Sequence, residues 1–160
     1  MYFKRGVDFM SEKELTRRKM CRFVMKQTWR LLKKGRLSLS SALRISWMLI
    51  RGRARLHHTK ARGVSYDERQ KAICRIGNSN SHQYSLFTVR QHNNRYDANA
   101  IGIYVHFDDG EVDQIGFMSK ELAAAYSDLI DAGRKLIILD SDVVGKGHKY
   151  YGLNFEYVLI

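Results

Sequence analysis

Proline is absent from this chain of 160 residues, so no position has its φ fixed by a ring and every loop must be held by other means. Cysteine is scarce: Cys21 and Cys74 stand far apart, with no CxxC and no histidine at ligand spacing. That argues against a disulfide framework or a Cys/His zinc site, and reads as reduced, partly buried thiols in a cytoplasm-like compartment. Long apolar runs are missing too. The richest segment, Leu37 to Ile50, is broken by Ser38, Ser40, Ser41, Arg44 and Ser46, too short and too polar to span a bilayer. Met1 to Met10 has no apolar h-region, so no secretory signal is expected. No Gly-rich loop ending in Lys-Ser/Thr, no Gly-x-Ser-x-Gly, no His-Glu-x-x-His and no Asp/Glu-x-Lys nuclease pair occurs. Catalysis, a cofactor, a metal and a small-molecule substrate are therefore not expected. His57 and His58 are adjacent rather than at i, i+4 spacing, and read as exposed residues near a helix end, not ligands.

Acidic residues are rare in the first two-fifths of the chain. Of the net +12, residues 1–62 hold 18 Lys/Arg against 3 Asp/Glu, and residues 63–160 hold 10 against 13. Such asymmetry favours a polyanion partner for the N-terminal part, nucleic acid first and an anionic membrane surface second. Helical periodicity from Arg17 to Lys34 gathers Met20, Cys21, Val24, Met25, Leu31 and Leu32 on one broad face. It aligns Lys19, Arg22, Lys26, Arg30 and Lys33 as a basic stripe on the other. Gly35 can end this helix, and Ser38 or Ser40 can cap a second, about Leu39 to Leu56. The second helix should bury Leu43, Ile45, Trp47, Leu49 and Ile50 and turn Arg44, Arg51 and Arg55 to its polar side. The short loop between them makes an antiparallel hairpin, and Met1 to Ser11 gives no signal beyond a loosely attached end. Phosphate contact is the leading role for the stripe, with a protein partner or a membrane surface as alternatives.

The rest alternates strand and helix patterns. Strands are expected near Thr59–Val64, Tyr84–Arg90, Ala100–Phe107, Val112–Met118, Lys135–Val144 and Tyr150–Ile160. Asp108-Asp109-Gly110-Glu111 and Gly145-Lys146-Gly147 supply hairpin turns. One helix should run from Asp67 to Ile76 and stop at Gly77; another is capped by Ser119 and stopped by Gly133, with Leu122, Tyr126, Leu129 and Ile130 on its apolar face. These elements suit an α+β fold: a small OB-like or SH3-like antiparallel β-barrel over residues 59–160, preceded by the basic helical region of residues 1–58.

One stretch carries more. Asn94-Arg95-Tyr96-Asp97-Ala98-Asn99-Ala100-Ile101 is followed, after the Asp109-Gly110 turn, by Ile115-Gly116-Phe117-Met118-Ser119-Lys120. Gly63-Val64-Ser65-Tyr66 and Arg90 precede it. This order resembles the HIRAN domain, a β-barrel module of DNA-repair helicases that also stands alone in bacterial and phage proteins. The resemblance covers about Arg62 to Ile160 and implies binding of single-stranded DNA at a 3′-hydroxyl end. It implies Tyr66 and Tyr96 as stacking plates, Asp97 and Asn94 at the 3′-hydroxyl, Lys120 at phosphate, and Phe117 between Gly116 and the helix. Arg95 stands where the family has proline, so the loop loses a fixed φ and gains a cation. Ser65 stands where some members carry Arg, which leaves out part of the phosphate grip.

Read as residues alone, Tyr66 and Tyr96 could pack a barrel mouth, and Asp97 and Asn99 could bond their own backbone. The reading favoured is a non-enzymatic binder of single-stranded DNA, cytoplasmic or nucleoid-associated, without membrane contact. The alternatives are an adaptor docking a helicase, a nuclease or a phage machine, and an RNA-end binder.

Overall fold

The computed structural model describes residues 12–33, 37–145 and 147–160. The expected loose end at Met1–Ser11, the cap at Gly35 and Lys146 of the last turn lie outside them. Two helices come first, α1 (Glu12–Lys33) and α2 (Leu39–Ile50). Ser38 caps α2, its hydroxyl accepting from the Ser41 N–H at 3.2 Å. Small residues let the two helices approach. Ser46 donates to the Ala42 carbonyl at 2.8 Å and lies 3.1 Å from the Thr28 hydroxyl, which bonds back to the Val24 carbonyl.

Three expectations for this hairpin are corrected. The first helix starts at Glu12, not Arg17. The second stops at Ile50, with Arg51 as its C-cap and Gly52 following at φ 66°, so Arg55 is not on the helix. The broad apolar face of α1 is in fact a narrow one: Val24 and Leu31 are buried with Thr28, whereas Met20, Cys21 and Met25 are exposed. A 12-residue α2 covers only one side of a 22-residue α1. On α2 itself Ala42, Ile45 and Ser46 are buried, and Leu43, Trp47, Leu49 and Ile50 are half-buried.

The remainder runs β1 (His57–Lys60), α3 (Asp67–Asn78), β2 (Tyr84–Arg90), β3 (Ile101–Phe107), β4 (Val112–Phe117), α4 (Lys120–Asp131), β5 (Leu136–Val144) and β6 (Gly152–Leu159). All ladders are antiparallel. The fold is α+β, but the ladders form two three-stranded sheets, β1-β6-β5 and β2-β3-β4, and not one continuous barrel. A two-bond backbone pair between Arg62 and Phe117 ties the sheets together. The strand expected at Thr59–Val64 is earlier and shorter, and α3 runs through Gly77 to Asn78.

Apolar alternation decides what lies inside. Ile101, Ile103, Val105 and Phe107 of β3 meet Leu153, Phe155 and Tyr157 of β6, with Ile73 and Ile76 of α3 closing the core. A second, smaller core forms on the outer face of β5 and β6, where Leu31, Ala42 and Ile45 of the hairpin cover Leu139 and Val158. Among the described residues the rest of that outer face is open, a hollow of about 440 Å³ lined by His58, Lys60, Asp140, Asp142, Asn154 and Glu156 among others. Among the described residues no helix is long and apolar enough to cross a membrane.

Candidate nucleic-acid interface

The loop between β2 and β3 holds its shape without proline. The Asn94 side-chain oxygen accepts from the N–H groups of Tyr96 at 3.0 Å and Asp97 at 3.2 Å, an Asx turn. Asn94 Nδ2 donates to Gln91 Oε1 at 3.0 Å. Next, Asp97 Oδ1 accepts from the Asn99 N–H at 2.8 Å, and Asn99 Oδ1 accepts from Ser127 on α4 at 3.2 Å. The result is a loop pinned at both ends, with Tyr96 projecting from it at 96% exposure.

Beneath the loop lies a small cavity, about 150 Å³, lined by Asn94, Tyr96, Asp97, Ala100, Phe117 and Met118. Four of the six residues expected at an end-binding pocket therefore converge: Asn94, Tyr96, Asp97 and Phe117. Tyr66 is reached through an intermediary. The Arg69 guanidinium lies 4.7 Å from the Tyr66 ring centre and 5.1 Å from that of Phe117, bridging the two rings by cation–π contact. Arg69 also donates to the Gly63 carbonyl. At Gly63, φ is +65° and a Cβ would stand 3.1 Å from the same guanidinium, so glycine serves both the turn and the close approach. Sequence reasoning missed Arg69. Its signal was the spacing of three from Tyr66, one helical turn along α3.

Lys120 does not line the cavity. It is exposed in the first turn of α4, just past Met118 at the cavity's edge. Ser119 caps that helix, accepting from the Leu122 N–H at 3.4 Å. Glu121 shares the site: its own backbone N–H and the Ser119 hydroxyl hold its carboxyl below the usual carboxylate range, with Arg62 and Lys120 adding attraction. The chain thus already sets one anion at this helix start, as the helix dipole favours. Arg90 is structural: its Nη1 donates to the Ala100 carbonyl at 3.2 Å, and its Nε lies 3.4 Å from Asp131 of α4.

Along α1, Lys19, Arg22, Lys26 and Lys33 are exposed as expected. Arg30 departs from the acid-free stripe, because its guanidinium meets Glu156 of β6 at 3.3 Å. Trp29 stands beside the stripe at 57% exposure, another residue the sequence reading passed over. Arg44 is exposed on α2, Arg51 lies over the Trp47 ring at 5.0 Å, and Arg55 is exposed beyond the helix. Among the described residues no cluster of His, Cys, Asp or Glu could hold a metal.

No curated protein and no solved structure matches the chain. A family model described as HIRAN domain matches residues 56–156. That span holds the pinned loop, the cavity and the Arg69 bridge, and the chain belongs to the HIRAN domain family of nucleic-acid-binding modules.

Proposed function

We propose that this protein grips single-stranded DNA at a 3′-hydroxyl end, in the cavity under the Asn94–Asn99 loop, and carries out no chemistry of its own. The observation that carries the reading is the convergence of a fully projecting aromatic, Tyr96, with a half-buried carboxylate, Asp97, around one small cavity. A terminal nucleotide offers a flat base, a hydroxyl that donates and accepts, and a phosphate one step upstream. Tyr96 and the Tyr66–Arg69–Phe117 stack supply π faces for the base. Asp97 commits Oδ1 to the loop, which leaves Oδ2 as the acceptor for the hydroxyl proton. Asn94 has its oxygen occupied by two backbone donors, so it positions Asp97 and offers the ligand only an N–H. Lys120 meets the upstream phosphate, and Ser119 and the α4 N–H groups support it once Glu121 swings aside.

In this reading the α1 stripe adds sequence-independent phosphate affinity through Lys19, Arg22, Lys26 and Lys33, and Arg44, Arg51 and Arg55 extend it. Residues 59–160 are the end-binding domain and residues 1–58 the affinity-giving appendage. A helicase or nuclease that works on DNA ends is the partner such a binder would serve.

Anisotropy titrations of the whole protein with labelled single strands ending in 3′-hydroxyl or 3′-phosphate, and with a circular strand, test the reading. The hydroxyl end is expected to bind more than about tenfold tighter than the phosphate end, because a second anion would face the Asp97 carboxylate. Equal affinity for all three would leave only a basic single-strand binder.

A further inference from the structure

We infer that the outer face of sheet β2-β3-β4 is a second nucleotide subsite, on which bases upstream of the bound end stack against Phe87 and Tyr104. The inference rests on the end-binding reading for its direction, though not for its existence. Phe87 and Tyr104 are directly opposite in the ladder, both turned away from the core. Their rings stack at 5.6 Å between centres and 21° between planes. Phe87 keeps 37% of its surface open to solvent among the described residues, a large exposed aromatic.

Two features join this platform to the cavity. Phe117, a cavity residue, shares the face, since it pairs with Gly102 and Gly102 adjoins Tyr104 in β3. The Tyr104 ring also leans over Gly102: a Cβ there would stand 2.7 Å from Tyr104 Cε2 and 2.9 Å from Gln91 Nε2. Glycine is therefore required for the ring to lie along the sheet. Gln91 is the second link. Its Nε2 donates to the Tyr104 hydroxyl at 2.6 Å, while its Oε1 accepts from Asn94 of the pinned loop. One carboxamide thus fixes both the loop that forms the cavity and the ring that begins the platform.

Charge decides the occupant between the two open sheet faces. The hollow on β1-β6-β5 mixes Asp140, Asp142 and Glu156 with Lys60 and His58, and Glu156 is already held by Arg30, so a phosphate chain would meet carboxylates there with little cation left to offset them. The outward positions of β2-β3-β4 carry no carboxylate; Asp113 pairs with buried Val105 and points to the other side. An acid-free face with exposed, pre-stacked aromatic rings and amide groups suits the sequence-tolerant stacking of single-stranded bases. Duplex DNA, whose bases are already stacked on each other, has no use for it.

The test uses the full chain and thymidine strands carrying 2-aminopurine, whose fluorescence falls when it stacks, at the third or fourth nucleotide from a 3′-hydroxyl end. Expected are quenching on binding, loss of that quenching in Phe87→Leu, and its return in Phe87→Trp. Affinity of Phe87→Leu for an octanucleotide should fall about five- to tenfold while dinucleotide affinity holds. Identical quenching in Phe87→Leu and the unmodified protein would overturn the inference, as would an octanucleotide that binds no tighter than a dinucleotide. Quenching that depends on Phe87 but is equal for internal sites of circular strands would keep the platform and remove the end reading.

Discussion

Removing the helical hairpin tests how the two parts of the chain depend on each other, and the structure sets the size of the effect. A fragment of residues 57–160 keeps β1 whole and retains every buried residue of the larger core, all of which lie between Ala61 and Tyr157. What it loses is the cover over the outer face of β5 and β6. Leu139 and Val158, 1% and 0% exposed in the whole chain, would meet water. Full burial of one such side chain contributes about 1.5–3 kcal/mol, so the two together amount to about 3–6 kcal/mol. Domains of this kind have total stabilities of about 5–15 kcal/mol. The fragment should therefore unfold cooperatively, but at a markedly lower urea midpoint. Both tryptophans, Trp29 and Trp47, leave with the hairpin, so far-UV circular dichroism is the common probe. Leu139→Thr with Val158→Thr should make the fragment more soluble without changing its fold, since threonine suits a strand facing water. Ile45→Ala in the whole chain approaches the same contact from the helical side and should cost about 2–5 kcal/mol. Equal stability of fragment and whole chain would show that the hairpin does not pack as described. A broad, non-cooperative transition would show the opposite error, a hairpin integral to the fold and no independent unit beginning at β1.

Three further outcomes follow from side-chain placement. Asp97→Asn keeps an acceptor for the Asn99 N–H but removes the charge, so the gap in affinity between hydroxyl and phosphate ends should shrink by about tenfold or more; an unchanged gap in competition titrations would remove Asp97 from end recognition. Replacing Lys19, Arg22, Lys26 and Lys33 by Gln, with Arg30 left in its pair with Glu156, should weaken all nucleic acids alike and flatten the salt dependence while end preference persists. An unaltered salt slope would assign the stripe to solvent or to a protein. A small part of the acid sensitivity should trace to the solvent-screened Asp108–Glu111 turn, where hydrogen bonding to Arg75 holds Asp109 below its ordinary 3.8. A depressed carboxyl contributes stability above its unfolded pKa and loses it as pH falls through the lower folded value. Melting temperature against pH should therefore fall less steeply below about pH 4 in Arg75→Gln than in the unmodified protein, and parallel profiles would refute the link.

How much of this was legible in the sequence depended on whether the determinant was local. Tyr84–Arg90 alternates cleanly and its bounds were read as they stand; so was the Ser119 cap of α4. The end of α2 was misread because Arg51 to Leu56 holds good helix formers, and only Gly52, turning to φ 66°, breaks the run. Gly77 looked like a stop, yet α3 runs through it to Asn78. It faces Val143 of β5, where an added Cβ would make only ordinary contact, and no sequence window contains that neighbour. Arg30 was counted with the stripe for the same reason, since Glu156 lies 126 positions away. In the pocket, the motif Asn94–Ile101 located the loop, and the carboxylate and aromatics came with it. Arg69, Gln91 and Tyr104 did not, because their importance lies in what they join.

The missing proline shows how the same loop can be held by different chemistry. A ring at position 95 would fix one φ; without it the constraint on the loop comes from Asn94 and Asp97, whose side chains accept from the N–H groups of Tyr96, Asp97 and Asn99. A hydrogen-bonded loop is stiff only while its acceptors are engaged, and Asn94 is itself held by Gln91, which is held by Tyr104. Rigidity of the Asn94–Asn99 loop is thereby coupled to the ring on the neighbouring sheet face. Binding at one should order the other, because a ligand that immobilises Tyr104 removes freedom from Gln91 and so from Asn94. The positive charge of Arg95, exposed on the loop, is then carried on a frame whose stiffness a ligand at Tyr104 should raise.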